Sequence, residues 1–154
     1  QEQDLASQIL LENCLIPANC KVHRMSSQDL AYIGDVVYEL FVRSRFVWPS
    51  RRTKHLQNQV VAMVRAEFQA DLLAKLRSPT TLPSSSSFVL TNAENSILSR
   101  GRNAVSGSRN RKSNPVAYQD ATALECLIGY LYIDDRSRCN ELLEWMKPYL
   151  VELE

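Results

Sequence analysis

The sequence predicts an all-α protein. Three observations carry that reading. Apolar residues recur at spacings of three and four through most of the chain, and no stretch alternates as a half-buried strand would. Only four glycines occur in 154 residues, few for a sheet protein rich in tight turns. With 45% hydrophobic and 23% charged residues, the composition is that of one globular domain, taken here as 1–154. No uncharged apolar run approaches the roughly 20 residues of a membrane helix. Gln1–Asp4 is polar and acidic where a secretory signal begins basic. The expectation is therefore a protein that is neither secreted nor membrane-bound. Cys14, Cys20, Cys126 and Cys139 form no CxxC pair, and His23 and His55 are the only histidines. Zinc and a disulfide framework are disfavoured, and reduced thiols are expected.

The elements follow in order. Leu5–Asn13 is expected to form an N-terminal helix. Ser26 or Ser27 caps the next helix, with Gln28 or Asp29 in its first turn. Leu30, Ile33, Val37, Leu40 and Phe41 give it a helical stripe as far as about Phe46, and Trp48-Pro49 stops it. Thr53 is expected to cap one long amphipathic helix running from Leu56 to Leu76 and ending near Arg77-Ser78-Pro79. The tract 78–87, SPTTLPSSSS, reads as a polar linker. A shorter helix fits Leu90–Arg100, followed by a basic loop over 101–115. Val116–Ile133 reads as a helix apolar on most sides and so buried. Asp134-Asp135 breaks it and caps a last helix over about Ser137–Leu150.

A formal net charge of +1 hides an asymmetry. The ends are acidic, while 21–133 holds fifteen Lys and Arg against eight Asp and Glu. Two clusters carry no acid: Arg43, Arg45, Arg51, Arg52 and Lys54, then Arg100, Arg102, Arg109, Arg111 and Lys112. A basic middle between acidic ends points to a polyanion such as nucleic acid, the alternative being ordinary solvation of loops.

Two carboxylates sit where the pattern expects burial. Asp35 follows Gly34 in LAYIGDVVYELF, and Glu125 lies near Gly129 in ATALECLIGYLYI. Glycine inside a helix costs about 1 kcal/mol relative to alanine, so each marks a close approach of backbone or ligand. A buried carboxylate needs a partner. One reading is that the two acids converge on Mg²⁺ or Mn²⁺, which prefer hard oxygen ligands. The other is that each pairs with an arginine or caps a helix. Glu39, one turn from Asp35, either extends the acidic site or pairs with Arg43. Asp120 is taken as a solvated residue or a cap.

Together the two acidic helices resemble the ribonuclease III family. YIGDVVYELFV is similar to its signature helix and ALECLIGYLYID to its second acidic helix, ninety positions on. Within the family the chain resembles the short branch, Mini-ribonuclease III, which consists of the catalytic domain alone. Leu30 through Glu39, Arg100-Gly101-Arg102-Asn103-Ala104 with Ser106-Gly107, and Glu125–Tyr132 carry that likeness, which spans about 26–149. The long form has glutamates seven and four residues before its signature aspartate and an aspartate three before its second glutamate. Here those positions are Gln28, Ala31 and Thr122. Only Asp35 and Glu125 carry over, which leaves the number of metals open.

The resemblance implies a helical-bundle endonuclease domain that dimerises through the signature-helix region. It implies Mg²⁺-dependent cleavage of duplex segments in structured RNA, with Mn²⁺ as a substitute and 5′-phosphate ends. Its typical substrate is a ribosomal RNA precursor. Asp35 and Glu125 are then catalytic metal ligands, with Glu39 a further candidate. Arg100, Arg102, Arg109, Arg111 and Lys112 grip RNA phosphates, and Asn103 either touches RNA or stabilises the loop. The serine-rich linker and the start at Gln1 raise the expectation of a plant chloroplast form, the cytoplasm being the other compartment considered. A non-catalytic RNA-binding member of the fold, or a structural helical component with a permanent partner, are the alternatives. Retention of Asp35 and Glu125 favours the enzyme, while the thinned acidic set keeps the RNA-binding alternative open.

Overall fold

A computed structural model describes residues 16–78, 87–104 and 114–152. Among the described residues six α-helices occur and no strand. They are α1 (Ser27–Phe46), α2 (Thr53–Val64), α3 (Ala66–Arg77), α4 (Asn92–Asn103), α5 (Pro115–Asp134) and α6 (Arg136–Met146), with single 3₁₀ turns at Val22–Arg24 and Lys147–Tyr149. The expected helix at Leu5–Asn13 and most of the Ser/Pro tract lie outside the described residues.

Local chemistry sets the boundaries. Ser26 caps α1 by accepting from the Asp29 amide at 3.0 Å. Thr91 and Glu94 form a reciprocal capping box on α4. Asn114 caps α5, with Pro115 at the first helical position, and Asp135 caps α6. Helix α5 is the hub. Its residues Ala123, Leu124, Cys126, Leu127 and Ile128 are wholly enclosed by α1, α3, α4 and α6. Each fully buried leucine contributes about 1.5–3 kcal/mol through burial, so this helix anchors the bundle.

Three expectations are corrected. The single long helix after Trp48-Pro49 is two, because Arg65 adopts φ −67° and ψ 154°, outside the helical region. The carbonyls freed at this break find side-chain donors: Tyr38 on α1 bonds Met63, and Gln69 on α3 bonds Val64. Thr53 is the first helical residue rather than the cap, a position held by Arg52 without a side-chain bond. Finally, Gly101, Arg102 and Asn103 form the last turn of α4 and not the start of a loop.

Candidate active site

Helices α1 and α5 cross in backbone contact, and two glycines permit it. A Cβ at Gly34 would stand 1.7 Å from the Glu125 carbonyl oxygen. A Cβ at Gly129 would stand 2.0 Å from the carbonyl oxygen of Leu30. Neither position admits any side chain. The glycines that the sequence marked as costly are therefore explained by the crossing. The same contact brings the backbone of Glu125 against Gly34, the residue before Asp35. Successive helical residues are turned by about 100°, so Asp35 leaves the seam for solvent while Gly34 stays in it.

The expected burial of both carboxylates is thus corrected. Asp35 is exposed and Glu125 half-buried. Glu125 is held from α3: the Gln69 amide nitrogen lies 3.2 Å from its Oε1 and 2.9 Å from the Val64 carbonyl. Gln69 is itself only 2% exposed, and its Oε1 is buried with no hydrogen-bond partner among the described residues. Tyr38, fully buried, donates to the Met63 carbonyl at 2.7 Å. Burial, and then the nearby Glu125 charge, hold its hydroxyl well above the ordinary tyrosine range. The same two influences push the Cys126 thiol up to about 11, and its Sγ donates to the Ser27 carbonyl. Cys126 is accordingly a protonated packing residue at neutral pH and not a nucleophile.

The other sequence-predicted residues divide. Glu39 accepts from Arg43 Nε at 2.9 Å in an i, i+4 pair. Arg100 and Arg102 sit in the last turn of α4, where cations suit the helix dipole. Arg100 Nη2 donates to the Met25 carbonyl at 3.3 Å, and Arg102 pairs with Asp120 at 3.1 Å. Asp120 is therefore an ion-pair partner, neither a solvated residue nor a cap. Thr122 Oγ1 donates to the Tyr118 carbonyl at 2.9 Å. Gly101, between the two arginines, packs on α5: a Cβ there would stand 2.8 Å from Cys126 Sγ. Arg109, Arg111 and Lys112 lie outside the described residues.

Sequence reasoning missed Gln69. The signal was available, because Gln69, Leu72, Leu73 and Leu76 occupy one helical stripe, and a polar residue in a core stripe asks for a partner.

Among the described residues no group of three or more His, Cys, Asp or Glu could hold a metal. What the crossing provides is a pair of carboxylates on two contacting backbones. Mg²⁺ is commonly bound by one or two carboxylates, water and substrate phosphates completing its shell. Two hard oxygen donors of this kind fit that ion.

The fold and its acidic crossing define a family. The Ribonuclease III domain model matches residues 28–136, a span that contains both acidic helices. The chain belongs to the ribonuclease III family, and it is an endoribonuclease. It is 44% identical over 135 residues to the Mini-ribonuclease 3 of a Synechocystis strain, covering 87% of each chain. It is 43% identical to the Mini-ribonuclease 3 of a Synechococcus strain, over 84% of this chain and 85% of that one. A crystal structure of a protein from Fusobacterium nucleatum superposes with a TM-score of 0.69 at 24% identity. That match covers 84% of this chain and 97% of the other, and bears on the fold alone.

Proposed function

We propose that the protein cleaves duplex segments of structured RNA, with Asp35 and Glu125 holding Mg²⁺. The observation that carries this reading is the glycine crossing, which sets the backbone of one acid against the residue preceding the other. Held by Asp35 and Glu125, Mg²⁺ or Mn²⁺ would supply an activated water and charge stabilisation for the departing oxygen, and 5′-phosphate ends would result. The chain's own residues do the rest. Asp35, exposed, meets the substrate side, while Glu125 is steadied from α3. The Glu39 carboxylate is engaged by Arg43, which favours a charge-partner role for it over a ligand role. Arg100 and Arg102 lie at the end of α4, from which the chain leads into Arg109, Arg111 and Lys112. This is a basic tract of the kind that grips A-form RNA through phosphates with little base discrimination.

A homodimer forms through α1 in this reading. Tyr32, Val36 and Leu40 recur every four residues and are 78%, 63% and 64% exposed, an apolar row on the solvent side of the signature helix. A second copy of the same row would bury it and place two acidic sites on one duplex, one for each strand. The substrate proposed is a ribosomal RNA precursor. The compartment proposed is the plastid, in keeping with the cyanobacterial source of the two relatives named above. A fluorescent fusion of the full-length protein tests it, a cytosolic signal counting against it.

The test incubates the protein with a labelled structured RNA carrying a long duplex, with Mg²⁺ and with EDTA, beside Asp35→Asn and Glu125→Gln. Discrete cuts with 5′-phosphate ends, lost with EDTA and in both variants, are expected. The loss should be roughly a thousandfold or more, since the metal's charge stabilisation is worth several kcal/mol. Full activity in either variant removes that residue from the site. Binding without cleavage by the parent would make it a non-catalytic RNA-binding member.

A further inference from the structure

Gln69 stands in a place where an apolar residue would pack without penalty. It occupies a core position of α3, it is 2% exposed, and its Oε1 is buried with no hydrogen-bond partner among the described residues. An unsatisfied buried polar atom costs about 1–3 kcal/mol, which leucine or methionine would avoid. Something in the site therefore uses the amide.

The two amide hydrogens show what. Nε2 lies 2.9 Å from the Val64 carbonyl and 3.2 Å from Glu125 Oε1. Both neighbours are acceptors, so the nitrogen must face them and each hydrogen has its own oxygen. The first bond caps a carbonyl freed where α2 breaks at Arg65, and it ties the amide to the backbone. The second bond then transmits that fixed position to the carboxylate. The contact spans three elements, since the break orients α3, α3 carries Gln69, and Glu125 belongs to α5.

The choice of an amide has a consequence for cations. An arginine or lysine in this position would form an ion pair and compete with any metal for the carboxylate. A glutamate there would repel it. A neutral donor orients the carboxylate and sets no positive charge of its own beside it.

We propose that Gln69 is a positioning residue that fixes the Glu125 carboxylate for a divalent cation. The proposal rests on the reading of Glu125 as a metal ligand. Removing such an outer partner of a ligating group typically weakens metal affinity 10–100-fold.

The experiment titrates the RNA-free protein with Mn²⁺ and follows free Mn²⁺ by electron paramagnetic resonance. Four proteins are compared: the parent, Gln69→Met, Glu125→Gln and the double variant. Methionine is unbranched and of similar volume, so α3 keeps its packing, and far-ultraviolet circular dichroism should match the parent. Gln69→Met is expected to weaken Mn²⁺ binding by about tenfold or more. Glu125→Gln should weaken it too, and the double variant should bind like Glu125→Gln, because Gln69 acts only through that carboxylate. Parent-like affinity in Gln69→Met, with Glu125→Gln impaired, overturns the positioning role and leaves Gln69 as a cap for Val64. Equal affinity in the parent and Glu125→Gln overturns the metal-ligand reading of Glu125 itself, a separate result read from a separate arm. Should Gln69→Met fail to fold, Gln69→Asn keeps a buried amide but is one methylene short of spanning both acceptors. It carries the same expected weakening, and parent-like binding there overturns the proposal.

Discussion

Glu94 on α4 and Glu125 on α5 are both withdrawn from solvent, and opposite kinds of donor hold them. Glu94 is 3% exposed and receives a guanidinium: Arg138 Nε lies 2.7 Å from Oε1 and Nη2 lies 3.1 Å from Oε2. The Thr91 amide adds a bond at 2.9 Å. The same arginine stacks 3.7 Å over the Phe88 ring and donates to the Val89 carbonyl, so the pair ties the segment before α4 to α6. Glu125 is half-buried and receives the uncharged amide of Gln69. The first carboxylate is neutralised by its own chain and serves architecture. The second receives from Gln69 a hydrogen bond that brings no positive charge with it, at the crossing of α1 and α5.

Five changes break or sharpen this comparison. The largest effect on stability is expected from Arg138→Ala, which leaves Glu94 buried without its cation and costs about 3–5 kcal/mol in a chemical denaturation curve. Glu125→Gln, by contrast, should change stability by less than about 1 kcal/mol, the worth of one ordinary hydrogen bond, while cleavage is expected to be lost. Comparable destabilisation by both variants would erase the distinction between the two acids. Gly34→Ala comes next. A Cβ 1.7 Å from a backbone oxygen forces α1 and α5 apart, at roughly 3 kcal/mol, with cleavage falling beyond what the folded fraction explains. A parent-like melting temperature would mean that the crossing relaxes freely.

Acidification should act on Glu94. Burial pushes its carboxyl up, but hydrogen bonds from Arg138 and Thr91 and the Arg138 charge outweigh that and hold it below the ordinary 4.5. A lowered folded-state value stabilises the protein above the unfolded value, and that contribution is lost as pH falls through the folded one. Stability of the parent should therefore decline below about pH 4.5, and Glu94→Gln should flatten that decline. An identical acid limb in the variant would assign the decline to other groups. The smallest effect belongs to Glu39→Gln. Its partner Arg43 is 66% exposed, and such i, i+4 pairs are worth about 0.3–0.5 kcal/mol. A cleavage loss as deep as that of Asp35→Asn would instead return Glu39 to the ligand set.

Helix periodicity, caps and stops were legible along the chain wherever the cause is local. Ser26 and Asp135 cap as expected, through bonds to backbone three residues away, whereas Thr91 and Asn114 cap in the same way without having been singled out, and Thr53 does not cap. The break at Arg65 was not legible. The stripe of apolar residues runs through it without interruption, and the donors that make it tolerable, Tyr38 and Gln69, come from another helix and from beyond the break. The exposure of Asp35 was missed for a related reason. An apolar helix pattern does not say which of its faces is covered, and Tyr32, Val36 and Leu40 stand in solvent beside it.

By itself the sequence determined the all-helical class, the two acids with their glycines, and the basic tract after α4. These depend on residue type and on spacing along one chain. Only the tertiary structure decided that Gly34 meets the backbone of Glu125, that Glu39 answers to Arg43, and that Gln69 holds the second acid. The physical reason is range. Capping and periodicity act within a turn of helix, whereas the angle at which two helices cross, and the donor that reaches a carboxylate, depend on which faces the whole core brings together.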